Sequence, residues 1–134
     1  MKKIILLFVI TLVSTSMFAQ NDTPTDAAIL KLMNVKKGML SVNSLTDNMT
    51  KNMSATQIKN FKAEMDLYKS ELIKKSIDTF KKEYTAKEIN FIYEECTSDK
   101  IDYTDLTNGF FRKWRQLKGN LYFKRAKETY YKYQ

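Results

Sequence analysis

The chain has 134 residues, of which 23 are basic and 15 acidic, giving a formal net charge of +8. One proline and three glycines are too few for the many turns of a β-sandwich or barrel. The absence of histidine removes the commonest general base and transition-metal ligand, and the single cysteine, Cys96, can form no intramolecular disulfide.

The first 19 residues have the layout of a secretory signal peptide. Lys2 and Lys3 precede an apolar run of about ten residues, and small residues ending in Ala19 follow it. A membrane-spanning helix needs roughly 20 apolar residues, so the run is too short to serve as an anchor. We therefore expect cleavage after Ala19, which leaves residues 20–134 as a periplasmic or secreted domain with no transmembrane span.

The residues after the leader predict two short helices. Thr23 can cap the first, with Pro24 at the first helical position and Asp26 at the acidic position of a capping box. Gly38 is predicted to end this helix. A second helix is predicted over residues 40–53, with apolar side chains at helical spacing: Val42, Leu45, Met49 and Met53.

The third helix is the longest and should form the spine of the domain. Its apolar residues recur at steps of three and four from Ile58 to Tyr84. Thr85 and Glu88 then form a capping box that begins a fourth helix, which is predicted to end near Thr97. Nine core residues are predicted to be buried: Phe61, Met65, Tyr68, Leu72, Phe80, Ile89, Ile92, Phe110 and Trp114.

A fifth helix is predicted to begin near Thr104 or Asp105 and to turn four side chains inward: Leu106, Phe110, Trp114 and Leu117. Leu121 continues this apolar stripe. Gly119 leaves two alternatives open, a break followed by a sixth helix or one weakened helix, because glycine inside a helix costs about 1 kcal/mol relative to alanine. We favour the break. The whole pattern predicts an all-α fold, a single small domain of five or six helices.

Residues 84–92 contain an aromatic-Thr-x-x-Glu-aliphatic helix start, formed by Tyr84, Thr85, Glu88 and Ile89. This stretch resembles the core of a bacterial envelope family catalogued as domain of unknown function 2059. That family's following turn, Phe-Tyr-x-Ser-Pro-x-Gly, is matched only at Ser98, with Asp99 at the proline and Ile101 at the glycine. The resemblance implies an exported helical protein and no known activity.

Positive charge is concentrated at the end of the chain. Residues 111–134 contain eight basic residues and one acid, Glu128, whereas residues 20–110 contain 13 basic and 14 acidic residues. Cations interleaved with aromatic rings suit an anionic ligand, because cations neutralise it while rings stack on bases or lie at a lipid interface. Six residues therefore form a candidate anionic-ligand surface: Arg112, Lys113, Arg115, Lys124, Arg125 and Lys127. The alternative is a structural helix with a solvated basic face.

Catalytic chemistry has little support in the sequence. A cysteine without histidine lacks its usual activator, and no glycine-rich phosphate loop is present. We expect no enzyme, no cofactor and no metal site, but a non-enzymatic exported protein that binds a partner through a helical surface. Possible partners are an anionic envelope component or an acidic protein, and export argues against nucleic acid.

Two other functions remain open, a small periplasmic chaperone and a carboxylate-based hydrolase. Surface shape should discriminate among the three. A concave apolar groove would favour the chaperone, a deep acidic pocket the hydrolase, and a flat basic face the anionic ligand.

Overall fold

The computed structural model describes residues 22–35, 43–98 and 104–134. Within these ranges 83% of residues are helical and none lies in a strand, so the predicted all-α fold is confirmed. The helices are α1 (Asp26–Met33), α2 (Asn43–Met49), α3 (Ala55–Glu83), α4 (Ala86–Thr97), α5 (Asp105–Lys118) and α6 (Lys124–Lys132). A π-helical segment (Gly119–Phe123) joins α5 to α6, and we call residues 105–132 the C-terminal helical run.

The predicted signal peptide, residues 1–19, and Gly38 lie outside the described residues. Cleavage after Ala19 therefore stays a prediction. Among the described helices, none is both long and apolar enough to cross a membrane.

A serine or threonine is the N-cap residue of four helices. Each caps its helix by accepting a hydrogen bond from the backbone N–H three residues on, at 3.2–3.4 Å: Thr25, Ser54, Thr85 and Thr104. Gln57 and Glu88 complete capping boxes, because their side chains accept the backbone N–H groups of Ser54 and Thr85. The predicted starts of α4 and α5 are therefore confirmed.

The boundaries of the two short helices differ from the prediction. Thr25, and not Thr23, caps α1, so that Pro24 precedes the cap. The chain before the cap is held elsewhere, since the carbonyl of Asp22 accepts the N–H of Ala86 at 2.6 Å. Asn34 ends α1 before Gly38 is reached, and α2 ends at Met49 rather than at the predicted residue 53.

Helix α3 is the spine of the domain. It packs against α1, α5, the π-helical segment and α6, while α4 packs against α1 and α5. At the centre of the core the rings of Phe80 and Phe110 stack with centroids 4.1 Å apart. Eight of the nine predicted core residues are buried. Tyr68 is the exception and is only half-buried, because its hydroxyl reaches Glu64 and Thr129 at the edge of the core.

Gly119 does not break the last helix, contrary to the alternative we favoured. Its backbone is helical (φ −58°, ψ −49°), and the N–H of Lys124 donates to the carbonyl of Gly119, five residues back. This π-type turn takes in one more residue than an α turn. Leu106, Leu117 and Leu121 are half-buried rather than inward, whereas Lys118, Tyr122 and Ala126 are buried. Lys118 precedes the π-helical segment, so the wider turn shifts only the later positions, where Tyr122 and Ala126 replace Leu121.

Candidate anion-binding face

In the C-terminal helical run, residues four positions apart lie on the same side and form a column along the helix, so that the run has four columns. In a regular α-helix four residues exceed one turn, so such columns would drift around the axis, and the wider π turn corrects the drift. The buried column is Trp114, Lys118, Tyr122 and Ala126. The column one residue earlier, which begins at Lys113, lies toward α3, and the column one residue later, which begins at Arg115, lies on the side away from α3. The fourth column, which contains Arg112 and Lys124, points outward to solvent.

Ion pairs hold the run against α3. Three pairs join the run to α3: Lys113–Glu83 (3.1 Å), Arg125–Glu71 and Lys132–Glu64 (2.8 Å). The three acids and the three cations have the same spacings, seven and twelve residues, in opposite order along the two elements. The pairs therefore define an antiparallel register between α3 and the run.

Further contacts engage these paired groups. The guanidinium of Arg125 lies 3.7 Å from the centre of the Tyr68 ring. The Tyr133 hydroxyl donates to Glu64 at 2.6 Å, and hydrogen bonds from Lys132 and then Tyr133 lower the pKa of that carboxyl. Lys113 and Arg125, two of the six candidate residues, are thus part of the helix interface.

Lys118 is a buried cation that the sequence pattern missed. Its ammonium lies 5.6 Å from the centre of the Trp114 ring, and burial, followed by the charge of Arg115, lowers the pKa of Lys118. The indole N–H of Trp114 has no acceptor among the described residues. In a regular helix Leu117 and Lys118 both lie on the side of Trp114, and the apolar pattern selected Leu117 because lysine is seldom buried.

The four remaining candidates are exposed and form no ion pair within the described ranges: Arg112, Arg115, Lys124 and Lys127. Phe123 (37% exposed) and Tyr131 (64%) lie four residues before and after Lys127. We call the four exposed cations together with Phe123 and Tyr131 the basic aromatic face. These six residues occupy the outward column and the column away from α3. Glu128, also exposed, is the one acid of this part of the chain. The predicted six-cation surface is therefore divided between an interface and an exposed face.

The grooves beside α3 are open and carry mixed charges. One of about 550 Å³ lies between α3 and the run, where Lys75, Lys82 and Asp78 face Leu117 and Leu121. Across the described ranges, no three His, Cys, Asp or Glu side chains come together as a metal site would require.

A second groove, of about 240 Å³, is lined by Asp47, Asp66 and Tyr122 together with Lys62 and Lys69. Burial, and then the charge of Asp66, raise the pKa of Tyr122 to about 12, so its hydroxyl stays protonated near neutral pH. Lysines alternate with the acids in both grooves, and neither is a deep acidic pocket.

Comparisons with protein-family models, with curated proteins and with solved structures found no match to this chain. Residues 84–92, which carry the resemblance noted above, form the cap and first turns of α4, with Ile89 and Ile92 buried. The exposed cations and rings of the C-terminal helical run are therefore the feature from which a function can be argued.

Proposed function

We propose that the protein is a non-enzymatic envelope protein, exported by its leader, that binds an anionic component through the basic aromatic face. The proposal rests on the different environments of the eight cations in residues 111–134. Three pair with α3, Lys118 is buried, and four are left in solvent. Only the last four have no structural partner among the described residues.

The four exposed cations lower the stability of the helix that carries them. Arg112 and Arg115, and likewise Lys124 and Lys127, are three residues apart, and like charges at this spacing destabilise a helix by about 0.2–0.5 kcal/mol per pair. Two exposed aromatic rings add to the cost of leaving the face in water. Features that oppose stability in this way are typical of binding sites.

The other functions have less support. Exposed methionines would suit a chaperone that grips varied clients, but Met33, Met53 and Met65 are buried. A carboxylate hydrolase would need acids converging in an enclosed site, and the two grooves are open and rich in lysine. The resemblance to domain of unknown function 2059 supports export and adds no activity.

Binding to dextran sulfate, a polyanion with no apolar surface, tests the proposal. The full chain is produced with its leader, and mass spectrometry of the protein recovered from the envelope should find Gln20 at the N-terminus. Titration calorimetry should show binding that weakens from low to physiological salt, because exposed charges are screened beyond about 8–10 Å. Replacing both Lys124 and Lys127 with Gln should weaken it about tenfold.

A matched variant separates the location of the charge from its amount. Lys59 and Lys74 are exposed on α3 and form no ion pair within the described ranges, so Lys59→Gln with Lys74→Gln removes the same charge elsewhere. This variant should bind nearly as the wild type does. Equal losses for both double variants would show that net charge, and not the face, governs binding.

A further inference from the structure

We infer that the anionic component is the phospholipid surface of a membrane, with Phe123 and Tyr131 entering the headgroup layer and the four exposed cations binding lipid phosphates. This inference rests on the proposed function and adds the identity of the ligand. Mixed cations and aromatic rings are the composition by which peripheral helices lie in a membrane interface.

Each of the two rings packs against a neighbouring ring and is also partly exposed to solvent. Phe123 packs edge-on against the buried Tyr122, with ring centroids 5.8 Å apart, and Tyr131 packs in the same way against Tyr130 at 5.6 Å. Eight residues separate Phe123 from Tyr131, which corresponds to about 12 Å along a helix. Both rings therefore project from a rigid element and need little ordering when they enter an apolar layer.

The shape of the face favours a membrane over a chain-like ligand. The face is one side of a helix. Arg112, at its end, lines an open groove of about 500 Å³ with Tyr84 and Gln116, whereas the other five residues line none of the grooves described here. An extended polysaccharide or peptide gains its contacts from the walls of a groove, whereas a bilayer surface needs only a convex, exposed face. Lys127 lies between the two rings in the column away from α3. When the rings enter the headgroup layer, its ammonium would therefore lie among the lipid phosphates.

Vesicles of about one third phosphatidylglycerol in phosphatidylcholine provide the test. A juxtamembrane cation contributes roughly a fivefold gain in binding, so Lys124→Gln with Lys127→Gln should weaken partitioning about thirtyfold. The Lys59 and Lys74 variant should remain within a few-fold of the wild type. Vesicles of phosphatidylcholine alone should bind far more weakly, and equal binding to both compositions would contradict an anionic ligand.

Insertion of the rings is measured with Phe123→Trp. The only native tryptophan, Trp114, is fully buried and supplies a constant background. On vesicle binding the emission of Trp at position 123 should shift to the blue and be quenched by brominated lipid. Phe91→Trp is the control, since Phe91 is similarly exposed (41%) but lies on α4, which packs against α1 and α5. Its emission should not change.

The outcomes separate this inference from the proposed function. Binding to dextran sulfate without binding to vesicles would overturn the lipid assignment and leave the anion-binding face intact. Vesicle binding without a blue shift at position 123 would overturn ring insertion, and with it the reason for choosing lipid. Failure to bind either probe would overturn both proposals.

Discussion

Trp114 is buried in the core and carries a polar N–H group that forms no hydrogen bond with the described residues. The ammonium of Lys118 near the ring is a cation and cannot accept that hydrogen. The side chain therefore contributes through packing and its interaction with the cation, and its donor group opposes folding.

Two substitutions separate these contributions. Trp114→Ala should lower the free energy of unfolding by about 3–5 kcal/mol, as truncation of large buried aromatics does. Trp114→Phe should cost only about 1–2 kcal/mol, because the atoms lost include a donor without a partner. Urea denaturation followed by circular dichroism measures both. Similar losses for the two variants would mean that the N–H is engaged.

At the scale of elements, local signals were sufficient for most of the fold. The cap at Thr85 and the apolar steps of α3 depend on neighbouring residues, and both were predicted from the sequence. The π-helical segment was not, because glycine at position 119 is compatible with a break, an α turn or a π turn. The choice depends on distant partners: in a regular helix Arg125 would turn toward the core and away from Glu71.

The same reason limited prediction of the candidate site. The sequence located the excess of cations in residues 111–134, but the division between α3 and solvent follows from the π turn and from the antiparallel register. Neither is a local property of the chain. Lys113 and Arg125 could therefore not be distinguished from Arg112 and Lys124 by composition or spacing alone.

Deleting Gly119 should test the role of the π turn. The deletion restores a regular α-helix, rotates the following residues by about 100° and turns Arg125 toward the core. Leaving a charge buried without its partner costs about 3–5 kcal/mol, so the free energy of unfolding should fall by that amount. Gly119→Ala is the control.

The alanine variant should have the opposite effect. Gly119 has helical dihedral angles, and an added Cβ would meet no atom within 4 Å. Alanine should therefore stabilise the protein by about 0.5–1 kcal/mol through its greater helix propensity. Chemical denaturation measures both variants. A deletion variant as stable as the wild type would show that α6 can dock in a second register.

At the scale of the whole molecule, ion pairs join α1 and the C-terminal helical run to α3. Lys81 of α3 pairs with Asp26 of α1, and the three pairs described above hold the C-terminal helical run. Exposed pairs contribute only about 0–1 kcal/mol each, so they act more on register than on stability. Because the chain has no histidine, no side chain has an ordinary pKa between about 5 and 7.

Stability should therefore be nearly constant around neutral pH and fall in acid. The pKa of Glu64 is lowered in the folded protein from its ordinary 4.5, chiefly by the hydrogen bond from Lys132. Its contribution is complete above pH 4.5 and is lost as the pH falls through the lowered pKa. Thermal denaturation as a function of pH should show a shallower acid limb for Glu64→Gln than for the wild type. Equal slopes would assign the acid sensitivity to other carboxylates.

The antiparallel register also sets the order in which the chain closes on itself. The pairs to Lys113, Arg125 and Lys132 close loops of 30, 54 and 68 positions along the chain. The entropy lost on closure rises with loop length, by about 0.7 kcal/mol from the shortest loop to the longest. We therefore expect docking of the run on α3 to begin at α5 and to proceed toward α6. Local opening of the native protein should then begin at α6, which carries Lys127 and Tyr131 of the basic aromatic face.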